Sequence, residues 1–124
     1  MFDREEMLKV VGESHSVLEQ DEDGFAFGAA DRSFHVHFVG KGLALLYAEV
    51  QELEDATDDR QFEELARKIL SANARLLESG PFSFAVNPTR EFVHIQWLFD
   101  PAKGGEDAFR AWLPQFVAGV DQWE

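Results

Sequence analysis

Two hydrophobic rhythms alternate along this chain, and their order predicts its architecture. Met7, Leu8, Val11, His15 and Leu18 recur three or four residues apart, which predicts a first helix over residues 3–19. Asp3, Glu5 and Glu6 stand where the positive end of that helix dipole welcomes negative charge, and Gln20-Asp21-Glu22-Asp23-Gly24 ends it. Three strand-like runs follow. Phe25-Ala26-Phe27 opens the first, and Ala30-Asp31-Arg32 turns the chain. Phe34, Val36 and Phe38 then alternate with Ser33, His35, His37 and Val39. After the turn Gly40-Lys41-Gly42, Leu43 to Val50 is apolar on both faces and therefore belongs in the middle of a sheet. Connections this short allow only an antiparallel meander.

Gln51 to Arg60 reads as an acidic, solvated loop ending in a helix capped by Asp58, with Gln61 as its capping-box partner. Phe62, Leu65, Ala66, Ile69, Leu70, Asn73, Leu76 and Leu77 form a stripe wide enough to be buried on two sides. Gly80-Pro81 stops that helix. Phe82, Phe84 and Val86 alternate in a fourth strand, and Asn87-Pro88-Thr89-Arg90 forms a hairpin turn. The fifth strand, Phe92 to Phe99, sets Val93, Ile95, Trp97 and Phe99 on one face and His94 and Gln96 on the other. Pro101 to Gly105 breaks the chain before a last helical stripe of Phe109, Trp112, Leu113, Phe116, Val117, Val120 and Trp123, where Pro114 predicts a kink. The expected fold is α+β: a single domain over residues 1–124, of order α-β-β-β-α-β-β-α, its antiparallel sheet packed against helices.

Composition narrows the function. A chain of 124 residues with 45% hydrophobic side chains can bury its own core. Twelve Phe and three Trp supply more aromatic bulk than a small core obviously needs, so some rings are candidates for an interface. With 24 acidic against 11 basic residues the net charge is −13, a field that repels nucleic acid and anionic lipid and attracts basic or amphipathic polypeptides. Without Cys there is neither a disulfide framework nor a thiolate metal site. The start, Met1-Phe2-Asp3-Arg4-Glu5-Glu6, has no signal-peptide character, and no apolar run approaches a membrane span, so a cytoplasmic protein is expected.

Few residues suggest chemistry. Alternation puts His35 and His37 on one strand face, the single arrangement with metal-ligand character, and His94 lies on a strand face that could join them. No further ligand motif accompanies them, and the core-facing Phe34, Val36 and Phe38 make the histidines the mark of the wet face. No nucleophile elbow, catalytic carboxylate pair or phosphate-cradling glycine pattern occurs, so no catalytic residue, metal or cofactor is assigned. Asn73 interrupts the apolar stripe of the second helix, where its amide needs partners. It either brackets a neighbouring strand or fixes the register of a self-association interface.

Ile69-Leu70-Ser71-Ala72-Asn73-Ala74, followed by Gly80-Pro81-Phe82-Ser83-Phe84-Ala85-Val86-Asn87, resembles the leucine-rich, Asn-containing second helix and following strand of the class I type III secretion chaperones, the Tir-chaperone (CesT-like) family. Phe92 to Phe99 matches the next strand of that family, and Phe116-Val117 with Trp123 resembles its closing helix. Pro114 departs from an uninterrupted last helix, and proteins of the YbjN-like group share the fold. The resemblance implies a homodimer that binds the unfolded N-terminal segment of a secreted effector and keeps it soluble without nucleotide. It places the dimer interface at Leu65, Ile69, Asn73, Leu76, Phe82 and Phe84. The effector segment would lie on Met7, Leu8, Val11, Phe25, Phe27, Phe34, Val36 and Phe38, in part by adding a strand to the sheet. The alternatives are a regulatory or protein-interaction module of the same fold outside secretion, and a small metal-dependent enzyme using His35 and His37.

Overall fold

A computed structural model of the chain describes residues 2–40, 42–53, 59–87, 89 and 91–123. The first helix, α1 (Arg4–Ser14), begins at a cap in which the Asp3 carboxylate accepts the Glu6 N–H at 3.0 Å. It ends earlier than its apolar spacing predicts. Ser16–Gln20 is instead a strand, β1, so the first helical reading is corrected from His15 onward. Ser14 and Ser16 compete with helical hydrogen bonds and Val17 is β-branched, so helix propensity is weak where pairing with the next strand is available.

The remaining order is the expected one. It runs β2 (Gly24–Ala29), β3 (Arg32–Val39), β4 (Leu43–Glu52), α2 (Asp59–Leu76), β5 (Phe82–Val86), β6 (Phe92–Phe99), α3 (Pro101–Gly119) and a closing 3₁₀ turn (Val120–Trp123). The strands form one antiparallel sheet in the order β1-β2-β3-β4-β6-β5. β4, apolar on both faces, lies between β3 and β6 and extends through Glu52 into the stretch read as loop. The expected Asp58 cap lies outside the described residues, as do Lys41, Pro88 and Arg90 of the expected turns.

Register explains which side chains form the core. Phe27 pairs with Phe34, Val36 with Leu46, Leu46 with Trp97, and Trp97 with Phe82, so these residues share one face of the sheet. α1 brings Met7, Val10 and Val11 to that face, and α3 brings Phe109, Leu113 and Phe116. Trp97 stacks on Phe109 at 5.4 Å between ring centres, and Phe116 meets Phe34, Phe82 and Trp97 at 5.3–5.7 Å. Aromatic side chains therefore form the centre of the core, each contributing on the order of 1.5–3 kcal/mol of transfer free energy.

The last helix differs from expectation in where it bends. Asp100 caps it by accepting the Ala102 N–H, Pro101 occupies its start, and the non-helical residue is Gly105 at φ 63°. Pro114 keeps helical geometry inside α3 on an exposed position. Proline's fixed φ suits a helix, and a carbonyl that loses its donor at the surface can turn to water.

Candidate protein-binding surface

The two edges of the sheet are treated differently. On β5, the Asn73 side chain of α2 behaves like a short stretch of neighbouring strand. Its Oδ1 accepts the Phe84 N–H at 2.6 Å, and its Nδ2 donates to the Phe84 carbonyl at 3.1 Å. Of the two readings of Asn73, bracketing a strand is the observed one. The opposite edge strand, β1, pairs with β2 alone. Its pairing slips between Val17 and Glu19, a bulge of the kind that limits indiscriminate edge pairing, and Leu18 stands 53% exposed beside it. Arg4 of α1 holds the turn after β1, donating to the backbone carbonyls of Asp21, Glu22 and Gly24 while its guanidinium lies 5.4 Å from the Phe38 ring centre.

The helices cover one face of the sheet and leave the other open. His35, Tyr47 and His94 form a ladder of nearly parallel rings there, 5.1 Å apart at each step, continued by Phe92 at 6.2 Å from His94. A groove of about 540 Å³ beside the ladder is lined by His37, Leu45, Tyr47, Ala85, Val86, Asn87, His94 and Gln96. Partial burial lowers the His94 pKa below the ordinary imidazole value; the charge of Glu49 opposes this and that of His35 adds to it. Burial likewise lowers His15. Tyr47 separates His35 from His94, and among the described residues no three His, Asp or Glu side chains are grouped to hold a metal ion.

The residues expected to bind an effector separate into two sets. Met7, Val11, Phe25, Phe27, Phe34 and Val36 are buried inside the chain, at most 5% exposed, so they shape the scaffold from beneath. Leu8 and Phe38 remain partly accessible at the margin of the core. Leu18, which its spacing assigns to a helix face, stands on the β1 edge. Its apolar character was visible, but its setting depended on the unrecognised strand.

The same division applies to the residues expected at a dimer contact. Leu65, Leu76, Phe82 and Phe84 are buried within the chain itself, while Ile69 and Asn73 are half-buried. The outward side of α2 instead carries Leu70 and Leu77, each 71% exposed, with the exposed Ala66 one turn before Leu70. That side of the broad apolar helix is the one the rest of the chain leaves uncovered. The C-terminal turn is fastened beside it: Lys68 lies 4.3 Å from the Trp123 ring centre, Arg75 donates to the Gln122 carbonyl at 2.8 Å, and the Trp123 indole donates to Gln51 at 3.1 Å.

The fold is thus a sheet covered on one face, with one edge bracketed by Asn73, one bulged edge that pairs on a single side, and exposed apolar side chains on α2. A family model identifies the kind of protein. The model of the Tir chaperone protein (CesT) family matches residues 15–124, and the chain belongs to that family of type III secretion chaperones. The match begins at His15, so it takes in the whole sheet, α2 and α3, while α1 precedes it. No curated protein sequence matches the chain significantly. Among the described residues, no helix is long and apolar enough to cross a membrane.

Proposed function

We propose that this chain acts as a homodimeric cytoplasmic chaperone. It holds the unfolded N-terminal segment of a secreted effector in a soluble, secretion-competent state, without nucleotide and without catalysis. The family match over residues 15–124 carries this reading. The physical support is the β1 edge, which offers backbone donors and acceptors to an added strand and carries the exposed Leu18, while Leu8 and Phe38 are partly accessible at the margin of the core. The outward face of α2, with Leu70 and Leu77, is the contact for a second subunit. A charge of −13 keeps such a complex dispersed and favours basic or amphipathic segments.

Co-expression with the product of a neighbouring effector gene tests this function. The effector's N-terminal segment should co-purify in soluble form with a chaperone whose scattering mass is twice that of the chain. A monomer that leaves every such segment insoluble would instead favour an interaction module outside secretion.

A further inference from the structure

A second feature of the open sheet face is a small notch walled by unlike groups. Register places Glu19, Ala26, His35 and Tyr47 in one row across β1, β2, β3 and β4. In the middle of that row Ala26 contributes only a methyl group. Gly24, next on the same face of β2 and paired with His37, has no side chain at all. A Cβ at Gly24 would fall 1.8 Å from the Val36 carbonyl oxygen, so this position must stay bare. The result is a cavity of about 100 Å³ lined by Glu19, Asp21, Gly24, Ala26, His35 and His37 among others. One wall is an imidazole ring, that of His35, whose far side is stacked on Tyr47. The opposite wall carries two carboxylates, and among the described residues Glu19 has no ion-pair partner.

We propose that this notch receives an arginine side chain from the bound polypeptide. Glu19 and His35 are two strands apart, about 10 Å across the sheet, with only Ala26 between them. A guanidinium is a flat plate: one surface stacks on the His35 ring while its edge N–H groups reach the carboxylates. The ladder behind His35 holds the ring upright, so the stacking surface exists before the ligand arrives. A lysine ammonium would satisfy the carboxylates but leave the ring face unused, so the site prefers arginine. The net charge of −13 draws cationic segments toward it. The inference rests on the reading that the chain binds extended polypeptide, and it adds a residue preference to that reading.

Nuclear magnetic resonance of the intact ¹⁵N-labelled chain tests it without any effector, by titration with N-acetylarginine amide and N-acetyllysine amide. The expected result is saturable shifts of the Gly24, Ala26, His35 and His37 amides with the arginine probe, at least about threefold tighter than with lysine. Glu19→Gln should weaken arginine binding by about threefold or more, and Ala26→Leu should abolish it by filling the notch, with spectral dispersion showing that both variants remain folded. Shifts that never saturate, that match for the two probes, or that ignore both substitutions would overturn the proposal. Continued co-purification of an effector by Glu19→Gln, alongside a null titration of the unaltered chain, would overturn the arginine site and leave the chaperone reading standing.

Discussion

Asn73 on α2 and Phe84 on β5 exchange two hydrogen bonds, at 2.6 and 3.1 Å, so one side-chain amide satisfies both outward backbone groups of an edge-strand residue. Helix and sheet edge are thereby fixed in register. Asn73→Ala leaves the Phe84 N–H and C=O without protein partners. It should lower stability by about 1–3 kcal/mol, measured by urea denaturation. Hydrogen exchange should accelerate at Phe84 more than at the central strand β4. Unchanged exchange at Phe84 would show that the pair is incidental to the edge.

Leu70 and Leu77 stand on the side of α2 that the rest of the chain does not cover. The double variant Leu70→Lys, Leu77→Lys should therefore stay folded and lose its partner, appearing at monomer mass in light scattering, with a melting temperature that no longer depends on protein concentration. Ile69→Asp should behave differently. Ile69 is half-buried and packs against the core, so a charge there should also lower stability, by about 1–3 kcal/mol. A dimer that survives the double lysine substitution would put the subunit contact on another surface.

His94 titrates below the ordinary imidazole value, first because it is partly buried and further because of His35, against the pull of Glu49. The unfolded chain then takes up a proton before the folded one does. The favourable contribution of a neutral His94 is complete above the unfolded value and is lost as pH falls from there toward the lower folded value. Between about pH 7 and pH 5 the urea midpoint of His94→Gln should fall less, or rise more, than that of the unaltered chain. Parallel midpoints would remove His94 as the source. The comparison cancels the relief of acidic self-repulsion, which both chains share.

The β2–β3 connection offers a gain. Ala30 and Asp31 both have positive φ, 51° and 59°, as a two-residue turn between right-twisted strands requires. Alanine pays a steric penalty there that glycine does not. Ala30→Gly should stabilise by about 0.5–1 kcal/mol and raise Tm by a few degrees. A fall in Tm would mean that the added freedom of the unfolded chain outweighs the relieved strain.

The alternation in β3 and β6 was readable from sequence because each strand buries one face and wets the other: Val36 and Trp97 point inward, His35 and Gln96 outward. The central place of β4 followed from its two apolar faces. β1 was hidden for a physical reason. Its exposure does not alternate, its bulge breaks the period of two, and Leu18 falls at helical spacing from Val11 and His15. Candidate binding residues were legible only as apolar positions. The sorting of Phe27 and Phe34 into the core and of Leu70 and Leu77 onto the surface depends on which elements the sheet brings together. The row from Glu19 to Tyr47 could not be seen without the β1 register.

Because β5 is closed off by Asn73 while β1 is not, strand pairing between molecules has only one terminus from which to grow. Head-to-tail stacking of sheets needs two. Through its sheet edges alone, such a chain can accept one guest strand, or meet one twin, and then offers no second edge for pairing. Addition of strand to strand therefore stops after one step and does not by itself run on into filaments.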